Sequence, residues 1–388
     1  MAGADKKKLG ALVVALVALL IAAGPSAGLP ILSSGPSCTN FVGWAPLVNS
    51  LVCGFGGLFF TPPTPARRPP PPPPPPTATG SRQLSVGYYR NSNCSYDVEA
   101  AVRKAVEDAI KTQGRRIGAS LIRLFFHDAF VRGCDASVLL NTTATGNSDT
   151  EMTGPPNANS LRGFEVIDAA KEATTAACGG RSDVVSCADI LAFAARDASF
   201  FLSYGEINYT VPAGRFDGRE SFAAETNQLP GPDSDLQELV EMFAAKELDV
   251  FDLVALSGAH GVGRVRCLFT NGNSAMDPTY ANDLRTECSG NPDKLVNQTD
   301  RCPGGDPDMM DNQYFKNIAK FVLFKSDATL ISNATTRKQV NDNAANPDKW
   351  YKDFEAAMVK MGNIGVMTSP VAGLAEIRDV CWRVNGIY

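Results

Sequence analysis

The chain has 388 residues, a formal net charge of −5 and 44% hydrophobic residues, with ten cysteines but only two histidines, His127 and His260. This length can bury a sizeable core, and the acidic balance argues against nucleic acid as a partner. Two histidines exclude any metal site that needs several imidazoles. Metal chemistry in this chain must therefore depend on one imidazole per metal, on carboxylates or on thiolates.

The first 28 residues have the pattern of a signal peptide. Three lysines at 6–8 precede an apolar run over 9–23, and small residues follow up to Gly28. Because that run is shorter than the roughly 20 residues of a membrane-spanning helix, the pattern favours a cleaved signal peptide over an anchor. The sequence predicts a secreted protein.

A proline-rich extension follows over residues 29–80. No charged residue occurs between Leu9 and Ala66, and eight consecutive prolines occupy 69–76. Such a tract forms a stiff spacer without a core, so the extension is predicted to be disordered. Two interpretations stay open: a tract that docks to a cell wall or an SH3-like domain, or an extension without a role of its own.

Residues 81–388 are predicted to form one mainly helical domain. Apolar residues return every three or four positions over 98–110 and 164–171, and strand-like alternation is scarce. Five Asn-x-Ser/Thr glycosylation motifs fit a secreted surface. They begin at Asn93, Asn141, Asn208, Asn297 and Asn333.

The two histidines have different settings. Arg123 and His127 are four residues apart on a predicted helix, so they share one face, and the guanidinium lowers the pKa of the imidazole. That pair suits a base beside an anion stabiliser, while a core histidine bonded to a carbonyl is the alternative. His260 follows an apolar helix in a glycine-rich turn. The turn suits a ligand role towards something large and flat, while a helix-capping histidine is the alternative.

Oxygen donors follow His127 closely. Asp128, Asp135 and Ser137 lie within ten residues, and Gly133 allows backbone carbonyls to turn inward. Calcium takes six to eight oxygen ligands, so this segment is a candidate calcium site. A turn capped by Asp and Ser side chains is the alternative.

Several motifs occur in a fixed order along the chain. They are Arg123-Leu-Phe-Phe-His-Asp128, Gly133-Cys-Asp-Ala-Ser137, Val185-Ser-Cys-Ala-Asp-Ile190, Leu256-Ser-Gly-Ala-His260 and Asp311-Asn-Gln-Tyr314. Together they resemble the class III family of secretory plant-type haem peroxidases. The resemblance extends from Gln83 to Asn385 and implies an all-α, two-lobed fold with very little β structure and one haem b between the lobes.

The resemblance also implies roles on the two sides of the haem. His260 would ligate the iron from the proximal side, with Asp327 accepting its other ring proton. On the distal side, His127 and Arg123 would cleave the O–O bond of hydrogen peroxide, with Arg123 stabilising the transition state. Phenolic donors would then be oxidised in one-electron steps.

The resemblance implies further residues that support the two histidines and the substrate edge. Asn157 would hold His127, Glu151 and Phe126 would support the distal side, and Pro230 would lie at the substrate edge. The implied protein is a monomeric, extracellular peroxidase of the cell wall. A catalytically silent wall-binding protein with the same fold is the alternative, whereas a cytosolic ascorbate-type peroxidase conflicts with the signal peptide and the cysteines.

Two calcium sites belong to the resemblance. The ligands of the first would be Asp128, Val131, Gly133, Asp135, Ser137 and Glu151. Those of the second would be Gly261, Asp306, Met309 and Asp311. Because Gly261 stands where the family has Thr or Ser and offers only a carbonyl, one calcium ion is expected and the second is left open.

The resemblance implies three disulfides, Cys94–Cys178, Cys187–Cys381 and Cys267–Cys288. A fourth would join position 129 to Cys134, but residue 129 is alanine. Cys134 and Cys302 are therefore expected as free thiols, and calcium binding beside Cys134 is expected to be weaker. Cys38 and Cys53 lie upstream of the domain.

Overall fold

The structure is a computed structural model that describes residues 83–92, 94–270, 276–297, 306–371 and 373–387. The predicted signal peptide, the extension, Cys38, Cys53 and Cys302 lie outside the described residues. Within those ranges no helix is both long enough and apolar enough to cross a membrane.

Helices dominate the described part of the chain, as the apolar periodicity predicts. In chain order the α-helices are α1 (Val98–Gln113), α2 (Arg116–Val131), α3 (Phe164–Ala177), α4 (Cys187–Leu202), α5 (Leu236–Ala244), α6 (Val250–Ser257), α7 (Pro278–Glu287), α8 (Gln313–Asn317), α9 (Lys325–Ala328), α10 (Ala334–Ala345) and α11 (Pro347–Met361). Short strands are β1 (Asp217–Gly218), β2 (Arg264–Arg266), β3 (Leu295–Asn297) and β4 (Ala375–Glu376). They pair antiparallel, β1 with β4 and β2 with β3.

Local sequence sets several helix starts. The side chain of Asp97 accepts hydrogen bonds from the first amides of α1, and Ser186 does the same for α4. Asp235 and Asp249 form capping boxes with the acidic residue three positions later, at the starts of α5 and α6. These side chains satisfy amide groups that a helix start otherwise leaves unpaired.

The helices pack in two groups. Helices α1 to α4 pack against one another, and α6 packs against α5, α10 and α11. One apolar core runs through both groups and includes Phe130 and Phe193 from the first and Trp350 and Phe354 from the second. The first group carries Arg123 and His127, and His260 follows α6 in the second. This confirms the predicted fold class, a mainly helical two-lobed domain.

Three disulfides tie distant parts of the chain together, and Cys134 is a buried free thiol. The pairs are Cys94–Cys178, Cys187–Cys381 and Cys267–Cys288, as the resemblance implied. Burial raises the pKa of the Cys134 thiol, so at neutral pH it stays protonated and unreactive.

Candidate active site

Helix α2 carries both predicted distal residues. Arg123 and His127 lie about one turn apart on it. The Arg123 guanidinium donates to the carbonyl oxygens of Ser160 and Pro156 and to the Ser160 hydroxyl, each at 3.1 Å. Because these acceptors are neutral, the positive charge of Arg123 is left to act on an anion that develops nearby.

His127 is fixed through one ring nitrogen. Its Nδ1 lies 2.5 Å from Oδ1 of Asn157, and Nδ2 of Asn157 donates to the backbone carbonyl of Glu151 at 2.9 Å. An amide oxygen can only accept, so the proton of neutral His127 resides on Nδ1. That tautomer leaves a lone pair on Nε2, which a general base needs.

The electrostatics keep His127 neutral. Burial, reinforced by the charge of Arg123, holds its pKa well below the ordinary value, although the hydrogen bond with Asn157 partly opposes this. Burial lowers the pKa of Arg123 to about 10, and the charges of Arg266 and Arg162 add to that effect. At neutral pH the pair is therefore an uncharged proton acceptor beside a fixed positive charge.

The proximal candidate, His260, lies in a short 3₁₀ helix, Gly258–Gly261, that continues from α6. Gly258 is needed there because a Cβ atom would lie 2.5 Å from Nε1 of Trp350. The Trp350 indole donates to the carbonyl of Ala255 at 3.1 Å, so it packs directly against the end of α6. This packing fixes the backbone that presents His260.

A buried carboxylate anchors His260. Nδ1 of His260 lies 2.8 Å from Oδ1 of Asp327, and the Tyr314 hydroxyl donates to the same oxygen at 2.7 Å. The imidazole ring also packs edge-on against Phe324, with ring centroids 5.6 Å apart. These contacts fix the Nδ1 side of the ring and leave Nε2 on the other side.

The environment of His260 fits a haem-iron ligand. Burial lowers its pKa, but the charge and hydrogen bond of Asp327 outweigh burial and place the pKa above its ordinary value. The charge of Arg123 also opposes protonation of His260, so the two residues lie within electrostatic reach of each other. The His260 side chain keeps 39% of its surface exposed, against 5% for Asp327. An anchored but accessible imidazole is what an axial ligand requires.

Two other predicted residues lie beside these histidines. The Phe126 ring packs edge-on against His127, with centroids 5.3 Å apart. Pro230 is half-buried, and two residues later the carbonyl of Pro232 accepts from the amide of Ser326, next to Asp327. The structure therefore brings the Pro230 segment close to the residue that anchors His260.

Acidic side chains cluster after His127. Asp128, Asp135 and Glu151 are buried, and burial raises the pKa of each. Repulsion from Asp135 raises the pKa values of Asp128 and Glu151 further. Within the described residues, the two carboxylate oxygens of Glu151 and the hydroxyl of Ser137 have no hydrogen-bond partner. The carboxylates of Asp128 and Asp135 accept backbone amides, so the unpaired carboxylate oxygens that fit a hard cation such as calcium belong to Glu151.

The loop around these acids is held by backbone contacts. Gly133 has a positive φ of 104°, and a Cβ atom there would lie 2.8 Å from the carbonyl oxygen of Ile364. The buried Arg378 side chain donates to the carbonyl of Ala136 at 2.6 Å. The carbonyl of Val131, another expected ligand, accepts from the Lys246 ammonium at 3.0 Å. The described residues contain no group of three His, Cys, Asp or Glu side chains arranged to bind a metal, so calcium here would need backbone carbonyls as well.

The carboxylates of the second predicted calcium site make local backbone contacts. A Cβ atom on Gly261 would lie 3.4 Å from the carbonyl oxygen of Asp311, so these two residues are neighbours. The carboxylates of Asp306 and Asp311 accept backbone amides of Asp308 and Gln313, respectively. The amide of Met309 donates to the carbonyl of Asp306. The carboxylates therefore serve a local turn and a helix start.

Two partners in the site were not assigned from the sequence. Tyr314 ends the motif Asp311-Asn-Gln-Tyr314, but nothing in its spacing indicates that its hydroxyl bonds Asp327, thirteen positions later. Ser160 holds Arg123 through both its carbonyl and its hydroxyl. The role of Ser160 could have been suspected only from its position three residues after Asn157.

Comparison with known proteins identifies relatives. A family model described as Peroxidase matches residues 102–346. Peroxidase 2 of Zea mays is 45% identical over 309 residues, which cover 78% of this chain and 89% of that protein. Peroxidase 1 of Zea mays is 46% identical over 79% of this chain and 85% of its own length, and Peroxidase 5 of Vitis vinifera is 41% identical over 78% and 92%.

Proposed function

The chain belongs to the class III family of secretory plant-type haem peroxidases and is a peroxidase, and from this premise we propose how its residues divide the work. One haem b would bind between the lobes, with His260 as the axial ligand and His127 on the opposite side. The observation that carries this assignment is the contrast in Nδ1 partners, a neutral amide for His127 and a carboxylate for His260.

On the distal side, His127 moves the proton. Its Nε2 lone pair accepts the proton of hydrogen peroxide and returns it to the oxygen that departs as water. Arg123 stabilises the negative charge that develops as the O–O bond breaks, because its own acceptors are neutral. Asn157 keeps His127 in the required tautomer and orientation.

On the proximal side, Asp327 accepts the Nδ1 proton of His260 and so makes the imidazole a stronger electron donor. When bound, the haem supplies the redox chemistry, taking two oxidising equivalents from peroxide and passing them on one at a time. The reductants we propose are small phenols, which would reach the site near the half-buried Pro230.

Calcium is proposed at the acidic cluster beside His127. Asp135 and Ser137 would bind through side chains, and Asp128, Val131 and Gly133 through carbonyls, with support from Glu151. The free carboxylate oxygens of buried Glu151 support this site. The same residue holds Asn157 through its backbone, so calcium would stabilise the distal base indirectly.

Secretion is part of the proposal. Three described disulfides suit an oxidising compartment. Of the glycosylation motifs in the described ranges, those at Asn141, Asn208 and Asn333 are exposed. We propose a monomer outside the cell, with the proline tract as a wall attachment.

The test is a single reconstitution. The secreted or refolded chain, supplied with haem and calcium, is expected to show a Soret band, a peroxide-driven spectral change, and turnover of a phenol with hydrogen peroxide. Haem binding without any spectral response to peroxide would favour the silent wall-binding alternative. Arg123, His127 and Asn157 argue against that alternative, since their geometry suits proton transfer.

A further inference from the structure

The Asp327 carboxylate serves two donors through one oxygen. Oδ1 lies 2.8 Å from Nδ1 of His260 and 2.7 Å from the hydroxyl of Tyr314. Asp327 and Tyr314 are both buried, so water does not compete for these contacts. The rings of His260 and Tyr314 stand nearly perpendicular, with centroids 6.2 Å apart.

We propose that Tyr314 is a positioning residue that limits how strongly Asp327 withdraws the Nδ1 proton of His260, and that it thereby sets the electron-donor strength of His260 towards iron. The inference rests on the proposed role of His260 as the axial ligand. Tyr314 makes no contact with substrate in this assignment and acts only through the shared oxygen.

The direction of the effect follows from hydrogen-bond chemistry. Two donors on one carboxylate oxygen compete for its electron density, and charge-assisted hydrogen bonds are the stronger ones. Removing the Tyr314 hydroxyl therefore strengthens the bond from Nδ1 of His260 to Asp327. The imidazole then gains anionic character, which stabilises ferric over ferrous iron.

A purely structural role for the hydroxyl is the competing explanation, because a buried phenol needs an acceptor whatever its neighbours do. The chain supplies a matched control for it. Tyr89 is also buried and donates to a buried carboxylate oxygen, of Asp189, at 2.7 Å. Tyr89→Phe removes the same kind of bond from a place that has no contact with His260.

The experiment measures the ferric/ferrous midpoint potential and the iron–histidine stretching frequency of the haem-loaded protein. For Tyr314→Phe we expect the equilibrium to move about tenfold towards ferric iron, which is about 59 mV lower in potential for one electron, and the stretching frequency to rise. Tyr89→Phe should leave both values unchanged. Equal potentials and frequencies in Tyr314→Phe and wild type would overturn the proposal.

A second variant keeps the proposal testable if Tyr314→Phe folds poorly. Replacing Tyr314 with a ring-fluorinated tyrosine keeps the hydroxyl and the shape but makes it a stronger donor. The potential should then rise and the stretching frequency fall, opposite to the Phe variant. Shifts in the same direction for both variants would indicate a packing effect and overturn the proposal.

Failure of the proposed function would look different. If His260 is not the axial ligand, the wild-type protein shows no iron–histidine stretching band, or the band persists in His260→Ala because His127 ligates the iron. If His260 is the ligand but Tyr314 has no influence, that band is present in the wild type and keeps its frequency in every Tyr314 variant.

Discussion

The two lobes use the same imidazole atom for opposite purposes. Nδ1 of His127 meets the amide oxygen of Asn157, whereas Nδ1 of His260 meets the carboxylate of Asp327. The pKa of His127 is held well below its ordinary value, by burial and then by Arg123, while Asp327 raises the pKa of His260 despite burial. In the proposed assignment, the Nδ1 acceptor, and not the ring itself, distinguishes the proton carrier from the metal ligand.

The supporting networks differ as well. On the distal side, His127 is linked through Asn157 to the backbone of Glu151, whose buried carboxylate faces the acidic cluster. On the proximal side, Asp327 also accepts from Tyr314. The proposed base, His127, is thus tied to a proposed ion site, and the proposed ligand, His260, to a second protein donor. Exchanging or removing these groups tests whether the two lobes have separate tasks.

The largest effect is expected for His260→Ala. Removing the axial imidazole should abolish stable haem binding, so the Soret band is lost after gel filtration together with all turnover. Added imidazole should restore part of the band by occupying the space of the lost ring. His127→Ala is the matched control and should retain its haem. An unchanged Soret band in His260→Ala would show that another residue ligates the iron.

His127→Ala is expected to have the next largest effect. Loss of a general base slows proton transfer about 10²–10⁴-fold, so the second-order rate with hydrogen peroxide should fall by that factor while the haem spectrum is kept. Stopped-flow absorbance at the Soret band measures this rate. A loss below about tenfold would assign the proton transfer to a different group.

Asn157→Asp should give Nδ1 of His127 a carboxylate partner, as Asp327 is for His260. A carboxylate on Nδ1 stabilises the imidazolium, so the pKa of His127 should rise. In the wild type, the lowered pKa of His127 keeps the imidazole neutral at pH values below its ordinary pKa, so the peroxide rate is expected to decline only when pH falls through that lowered pKa. In the variant, the decline should begin at higher pH.

The pH dependence of the peroxide rate, measured from acidic to neutral pH, checks this shift. Asn159→Asp is the control because it adds the same charge two residues away on an exposed side chain. Coincident profiles for Asn157→Asp and wild type would mean that the partner on Nδ1 does not govern proton affinity on the distal side.

Much of the fold and the site could be predicted from the sequence because the motifs are local. Arg123 and His127 share a helix face by spacing alone, and apolar periodicity predicted α1 and α3. The link between His260 and Asp327 was accessible only through the family resemblance, since 67 positions separate them. The resemblance supplied the pairing, and the structure supplies its distance.

Other contacts could not be predicted because they depend on packing between segments that are distant in sequence. Nothing near Tyr314 indicates that its hydroxyl shares an oxygen with His260, and nothing near Arg378 indicates that it holds the carbonyl of Ala136. The turn contacts of Asp306 likewise follow from backbone geometry. Such contacts arise from the packed core, which a motif does not encode.

The smallest effect is expected from Ala129→Cys. This variant gives Cys134 a disulfide partner and changes only the distal lobe. Ala129 and Cys134 are both buried, next to Asp128 and Asp135. A disulfide between them would restrain the loop that carries the acidic cluster, so calcium should leave more slowly when a chelator is added. A short loop gains only about 2 kcal/mol from such a bond in the chain-entropy model, and global stability should change little.

The control variant is Ala129→Ser, which matches the side-chain size of cysteine but cannot form the disulfide. Because Glu151 connects the cluster to Asn157, the peroxide rate should decay in step with calcium loss in all three proteins, and slowest in Ala129→Cys. Equal calcium-loss rates in the Cys and Ser variants would show that the absent disulfide is irrelevant to this site. A peroxide rate that outlasts the calcium would separate the ion from the distal base.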